Sequence, residues 1–392
     1  MDMQIESIEI RNYRVFREAI LEDIPRLSVL VGVNGSGKST LFDVFSFLKD
    51  SLTQNVAKAV ARRGGFREVV SRGESGPISV TLKFRETGGR LATYELAIAL
   101  DGGSPVVDRE ILKFRRGQRG KPWHFVDFSR GRGTAITNEA VYGKAGAKEE
   151  RREYVLDEPS VLAIKGLGQF KEFRVVSEFR SLLENWHISD FHIADARPSA
   201  DEGYAEHLSP RGDNIAQVAT YLFEHHRDRF ERVLDSMKRR VPGIDGVEAK
   251  PTADGRLVLR FKDGSFVDPF IARYVSDGTI KMFAYLVLLN DPAPFPLLAI
   301  EEPENQLYPL LLPELAEEFR AYAARGGQVF VSTHSPEFLN GLDLGEIYCL
   351  SREDGFTRVR RASDSPLLRD LVAEGDSPGA LWRQGLFEKA WT

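Results

Sequence analysis

Leu27-Ser28-Val29-Leu30-Val31-Gly32-Val33-Asn34-Gly35-Ser36-Gly37-Lys38-Ser39-Thr40 decides the reading of this chain. The apolar run from Leu27 to Val31 reads as a buried strand. A glycine-rich turn follows, and Leu41-Phe42-Asp43-Val44-Phe45 opens a helix. Gly32, Gly37, Lys38 and Ser39 match G-x-x-x-x-G-K-[ST] at every fixed position, the pattern of a phosphate-cradling loop. Glycine lets backbone N–H groups approach phosphate oxygens with no Cβ in the way. The helix N-terminus adds partial positive charge at the same point. Lys38 is expected to reach the β- and γ-phosphates, and the Ser39 hydroxyl to ligate Mg²⁺. The competing reading is a chance glycine turn; the strand before and the helix after weigh against it.

The 392 residues suit two or three ordinary domains, or one large one with an insertion. With 42% hydrophobic and 28% charged residues the composition is that of a soluble globular protein. A net charge of -5 excludes a basic nucleic-acid coat, so any DNA contact needs a local patch. The single cysteine, Cys349, rules out an internal disulfide, and the few histidines leave no cysteine-rich zinc site. Cys349 lies in the apolar run Ile347-Tyr348-Cys349-Leu350 and reads as a core thiol. Met1 to Glu6 has neither a basic n-region nor an apolar h-region, and no run reaches the length of a membrane span. The expectation is a cytoplasmic protein with no membrane contact.

Alternation at Ile5, Ile8 and Ile10 predicts a first strand over 3–10, and a second is expected near 19–21. The phosphate-loop helix is expected over 39–62, ended by Gly64-Gly65. From 78 to 128 the pattern is an antiparallel meander, with Gly88-Gly89 and Gly102-Gly103 between strands. Residues 129–168 read as loops with some strand. Helices are expected over 169–186, 213–225 and 227–240, then a hairpin centred on 257–261 with Asp263-Gly264 as a turn. An α/β rhythm returns with helices over 277–290 and 309–325, strands over 296–300 and 328–332, and a last strand pair over 347–351 and 357–360. The division expected is an N-terminal lobe over 1–128, an inserted helical and irregular part over 129–245, and a C-terminal lobe over 246–392.

A phosphate loop alone does not say what happens to the nucleotide. Leu297-Leu298-Ala299-Ile300-Glu301-Glu302-Pro303-Glu304 is an apolar strand that ends in carboxylates, the Walker B pattern. The first carboxylate, Glu301, would hold Mg²⁺ and the second, Glu302, would polarise the attacking water. The alternative is an ordinary surface acid cluster. Val329-Phe330-Val331-Ser332-Thr333-His334-Ser335 is a second such strand, whose His334 either bonds a γ-phosphate or merely precedes a helix start. Ser276-Asp277-Gly278-Thr279 opens an apolar helix, either as an anion-binding N-terminus or as a plain N-cap.

Together these pieces resemble an ATPase of the ABC superfamily in its SMC/RecF-like branch, closest to the AAA-type ATPases of the OLD (overcoming lysogenization defect) kind. Asn12-Tyr13-Arg14 resembles the Asn-Phe-Arg of that family, and Ser276-Asp277-Gly278-Thr279 its signature. Glu301-Glu302-Pro303-Glu304-Asn305-Gln306-Leu307-Tyr308-Pro309 is similar to its Walker B, with Tyr308 in place of a histidine. Ser332-Thr333-His334-Ser335-Pro336 is similar to its switch. The resemblance covers about the first 60 and the last 130 residues.

It implies an α/β fold: a P-loop NTPase core, the ABC ATPase head, carrying a β-meander and an insertion. It implies ATP and Mg²⁺ as ligands. Asn34, Gly35, Ser36, Gly37, Lys38, Ser39, Thr40 and Arg14 would bind nucleotide, with Ser39 and Glu301 at the metal. Lys38, Glu302 as base and His334 as γ-phosphate sensor would be catalytic. Ser276 and Gly278 would act in trans, in a homodimer with ATP at its interface. OLD nucleases add a TOPRIM domain, and the residues after the switch are too few to build one, so no intrinsic nuclease is expected.

The function implied is an ATP-driven switch in DNA repair or phage defence. The alternative is a regulatory ATPase that binds no DNA and holds a partner effector such as a toxin or nuclease. Basic groups such as Arg62-Arg63 and Lys238-Arg239-Arg240 neighbour acids and read as solvated surface, so DNA as a partner rests on the resemblance. The usual Leu-Ser-Gly-Gly-Gln signature of transporter ATPases and the Asn-Lys-x-Asp motif of GTPases are both missing.

Overall fold

Strict alternation builds the largest sheet. In Leu91–Asp101, Ala92, Tyr94, Leu96 and Ile98 are buried and the residues between them are not, the period of two of a half-buried strand. The computed structural model describes residues 4–85, 91–114, 122–141, 144 and 146–391. The expected Gly88-Gly89 turn and the basic stretch from Arg115 to Lys121 lie outside the described residues. The chain divides into two compact units.

The first unit comprises Met1–Trp186, Leu344–Asp370 and Phe387–Thr392. Its eight-stranded antiparallel sheet runs in the order Phe16–Leu21, Gln4–Tyr13, Ile78–Arg85, Leu91–Asp101, Ser104–Phe114, Trp123–Ser129, Arg132–Ile136, Arg151–Val155. Gly102 and Gly103 both have positive φ, 57° and 87°, and Asp101 pairs with Ser104. That is the two-residue hairpin turn whose twist suits flanking strands. The helix Arg174–Glu184 packs on the buried face, with the Phe179 ring 4.8 Å from Phe84 and 4.7 Å from Tyr94.

Leu27–Val31 is buried at every residue and pairs in parallel with Ile347–Glu353, Val29 opposite Ile347 and Val31 opposite Cys349. Strands buried on both faces read as such continuous apolar runs. Phe356–Arg361 closes this part as an antiparallel neighbour. Burial pushes the Cys349 thiol up to about 12, which keeps it an unreactive core group.

Three expectations for this unit are corrected. The helix expected over 39–62 is two, Lys38–Thr53 and Val56–Arg62, because Asn55 turns the chain and caps the second by accepting Lys58 N–H at 2.8 Å. The strand expected among the loops of 129–168 amounts to two, Arg132–Ile136 and Arg151–Val155, and what is corrected is that they extend the meander. The helix expected over 169–186 spans only Arg174–Glu184.

The second unit comprises His187–Asp343 and Leu371–Leu386. His187–Ser189, Leu297–Glu301 and Gln328–Ser332 pair in parallel. The helix Asp277–Leu289 is buried at every residue from Thr279 onward, as expected of a helix that is apolar all round. Ile215–His225, Arg227–Arg240 and Leu312–Ala324 pack against it. Ile244–Pro251 and Arg256–Asp263 form the expected hairpin, but its turn is at Thr252 to Gly255, where Gly255 has φ 74°. Asp263-Gly264 lies at the far end of the second strand, before Phe270–Ile271 pairs back onto it. Arg240 pairs with Glu314 and Glu318 in this unit, and Arg62 and Arg63 pair with Asp50 in the other. Among the described residues no helix is long and apolar enough to cross a membrane.

Candidate functional site

In the first unit, strand Leu27–Val31 delivers the chain to Gly32. A Cβ there would lie 2.4 Å from both the Leu350 carbonyl and Ser36 Oγ. Gly37, at φ 109°, would bring a Cβ within 2.6 Å of Thr357 Oγ1. The Thr357 hydroxyl donates to Ser36 O at 2.7 Å, so a strand far along the sequence braces the loop. Gly37 occupies the N-cap of Lys38–Thr53, no side chain caps that end, and its first turn holds no acid. The N–H groups there are left for an anion.

Lys38 is buried and its ammonium donates to Gly32 O at 2.7 Å and to Val33 O at 3.2 Å. Ser36 Oγ is buried with no hydrogen-bond partner among the described residues. Asn34, Gly35 and Ser39 are exposed at the rim and Thr40 is half-buried. A cradle that excludes Cβ atoms, an uncapped helix N-terminus and an inward lysine fit a phosphate chain. The Ser39 hydroxyl is a hard oxygen donor of the kind Mg²⁺ prefers.

Arg14 has a positive φ of 49° and pairs with Asp43 at 3.0 Å. Asp43 stands one turn beyond Ser39 on the loop helix. It also accepts from the Tyr13 hydroxyl at 2.7 Å and from Arg63 Nε at 2.7 Å. Burial, and then the Asp43 charge, push the Tyr13 hydroxyl well above its ordinary range. Arg14 is thus tied to the phosphate-loop helix through Asp43.

The second unit gathers the remaining candidates. Glu301 ends its strand and is exposed. Glu302 has φ 45°, donates its N–H to Ser332 O at 2.9 Å and accepts from Asn305 Nδ2 at 3.0 Å. Its Oε1 lies 3.5 Å from His334 Nε2. Ser276 Oγ accepts Thr279 N–H at 3.2 Å, so Ser276 is an N-cap in this structure. Gly278 would bring a Cβ within 2.6 Å of Gln306 O, which sets the signature turn against the segment after Glu302. Lys281, on the same helix, donates to Asn305 O at 2.8 Å. Burial pulls its ammonium down to about 8, while Glu304 and Glu302 pull the other way.

Four residues that sequence reasoning passed over shape these turns. Thr357 braces the loop. Arg197 donates to the carbonyls of Ala272, Arg273 and Val275 and pairs with Asp277, fixing the approach to Ser276. Glu304 and Trp382 hold the backbone of His334, accepting its N–H at 2.7 Å and donating to its O at 3.2 Å. Only Glu304 carried a signal, as the third carboxylate of Glu301-Glu302-Pro303-Glu304.

Residues 27–340, most of the chain, match the family described as "AAA domain, putative AbiEii toxin, Type IV TA system". The chain belongs to this family. The AAA domain is also similar to the chromosome partition protein Smc of Thermoplasma acidophilum, 29% identical over 102 residues, 26% of this chain and 9% of that protein. It is similar to the DNA replication and repair protein RecF of Idiomarina loihiensis, 32% identical over 74 residues, 19% of each chain. RecF of Heliobacterium modesticaldum is 23% identical over 287 residues, 62% of this chain and 76% of that one. The AAA domain thus spans only 9% and 19% of the length of the first two relatives. Among solved structures, the Smc head bound to the C-winged helix domain of ScpA matches with a TM-score of 0.52. That match has 14% identity and covers 91% of this chain and 96% of that one. The fold is that of an SMC-type ATPase head, a mixed α/β P-loop architecture with a large antiparallel sheet. An AAA-type ATPase domain with homology to SMC and RecF is what the chain contains.

Proposed function

We propose that this AAA domain binds ATP with Mg²⁺ and hydrolyses it as an ABC-type homodimer, and that the cycle is a conformational switch in DNA maintenance or phage defence. The observation that carries the reading is the phosphate cradle: an uncapped helix N-terminus with Lys38 drawn inside and Ser36 Oγ left without a partner. Lys38, Ser36 and the loop N–H groups bind the β- and γ-phosphates, and Asn34, Gly35 and Thr40 line the rim. Ser39 and Glu301 hold the metal, which when bound neutralises phosphate charge. Glu302 takes the proton of the attacking water, and His334 bonds the γ-phosphate. Arg14 supports the nucleotide from the loop side. Ser276 and Gly278 close on ATP held by a second copy, so each site needs both chains.

The motif sequences Ser276-Asp277-Gly278-Thr279, Glu301-Glu302-Pro303-Glu304 and Ser332-Thr333-His334-Ser335-Pro336 support the OLD-like branch within the superfamily. Sedimentation of Glu302→Gln with ATP and Mg²⁺ tests the switch. A dimer that forms only with ATP, and turnover lost in the same variant, is expected. A monomer at micromolar protein overturns the sandwich. A second reading is favoured by the family description, which names a toxin and a toxin–antitoxin system, and by the net charge of -5. In it the ATPase controls a partner effector and binds no DNA. ATP-enhanced, salt-sensitive DNA binding would decide for the first reading.

A further inference from the structure

The turn Glu301-Glu302-Pro303-Glu304 concentrates three carboxylates, and the structure gives the last of them a task of its own. Glu302 sits at positive φ immediately before a proline, a backbone state that costs free energy and persists only where its surroundings hold it. Those surroundings are specific. The Glu302 N–H is bound to Ser332 O. Lys281 donates to Asn305 O at 2.8 Å and lies 3.5 Å from Glu302 O. Across from this turn, the backbone of His334 is held at both its peptide groups, its N–H donating to Glu304 Oε1 at 2.7 Å and its O accepting from Trp382 Nε1 at 3.2 Å. With the backbone so fixed, the imidazole comes to lie 3.5 Å from Glu302 Oε1. That is beyond a good hydrogen bond and close enough to be set by small movements of either backbone.

Resting on the ATPase reading above, we propose that Glu304 is a positioning residue that fixes the switch peptide so that His334 faces Glu302. Its second oxygen argues against a purely structural role. Glu304 Oε2 is buried with no hydrogen-bond partner among the described residues, an arrangement that weakens the fold rather than strengthening it. A glutamine would keep the acceptor for the His334 N–H and remove the charge. Alanine would remove both.

Steady-state ATPase kinetics of the purified full chain, with binding of a fluorescent ATP analogue and thermal melting, test this. Glu304→Ala is expected to lower kcat by about tenfold or more, the loss of roughly 1.4 kcal/mol or more at the transition state, with analogue affinity unchanged. Glu304→Gln is expected to recover most of kcat. Trp382→Phe, which frees the His334 carbonyl in the next peptide group, should lower kcat in the same direction, and it decides the matter if Glu304→Ala melts below the assay temperature. Wild-type kcat in Glu304→Ala, or a Glu304→Gln as slow as the alanine variant, overturns the proposal. Wild-type kcat in Glu302→Gln overturns instead the ATPase reading on which it rests.

Discussion

The Thr357 hydroxyl donates to the carbonyl of Ser36 at 2.7 Å, across a separation of 321 residues. The same hydroxyl oxygen lies where a Cβ on Gly37 would point, at 2.6 Å. One threonine therefore both holds the phosphate loop and forbids a larger residue in it. Thr357→Val keeps the shape and removes the hydrogen bond, worth about 1 kcal/mol. ATP affinity by calorimetry should fall about fivefold, and the melting temperature by no more than a few degrees. Unchanged affinity would show that the loop is held by its own turn.

Lys38 donates into the loop it belongs to, at Gly32 O and Val33 O, and would exchange those carbonyls for phosphate. Lys38→Ala should abolish both hydrolysis and ATP-dependent dimerisation. A variant that still dimerises with ATP would remove the loop from the centre of the mechanism.

Glu110 is fully buried and accepts from Tyr94 OH and from the N–H groups of Ala163 and Ile164. Burial pushes its carboxyl from 4.5 up to about 7, against those three donors. The folded chain then holds a proton that the unfolded chain has released. The contribution of this carboxyl to stability is fully present below about pH 4.5, falls as pH rises towards about 7, and is lost above it. The loss over that window is about 3 kcal/mol. Denaturant melts at pH 5 and pH 8 should show a steeper fall for the wild type than for Glu110→Gln. Equal slopes would mean that the carboxyl is ionised in the fold.

Asn55 accepts Lys58 N–H at 2.8 Å and starts the helix Val56–Arg62. Asn55→Ala should cost about 1 kcal/mol and lower the melting temperature by a few degrees while leaving ATP turnover alone. A melting curve that does not move would show that tertiary packing alone sets that helix start.

The three strands 27–31, 297–301 and 328–332 were legible because a buried parallel strand writes itself as an unbroken apolar run, and each ends in glycine or polar residues. Gly102-Gly103 was legible because two successive positive φ angles require such residues. Arg132–Ile136 and Arg151–Val155 were legible only as some strand among loops. Their residues are largely charged or small, and they are strands because neighbours offer ladder partners. The break at Asn55 was hidden inside a continuous helical pattern. In the site, Lys38, Glu302 and His334 stood in short motifs. Thr357, Arg197 and Trp382 are ordinary residues whose partners lie 321, 80 and 48 positions away. No local pattern can announce such pairings.

The closing of the phosphate loop by Leu350 and Thr357 has a consequence for the order of synthesis. Gly32 through Lys38 leave the ribosome long before the carbonyl and the hydroxyl that shape them, 321 residues separating Ser36 from Thr357. Over that interval a nascent chain carries the motif without the finished cradle. The cradle is therefore complete only once the strand Phe356–Arg361 has been made.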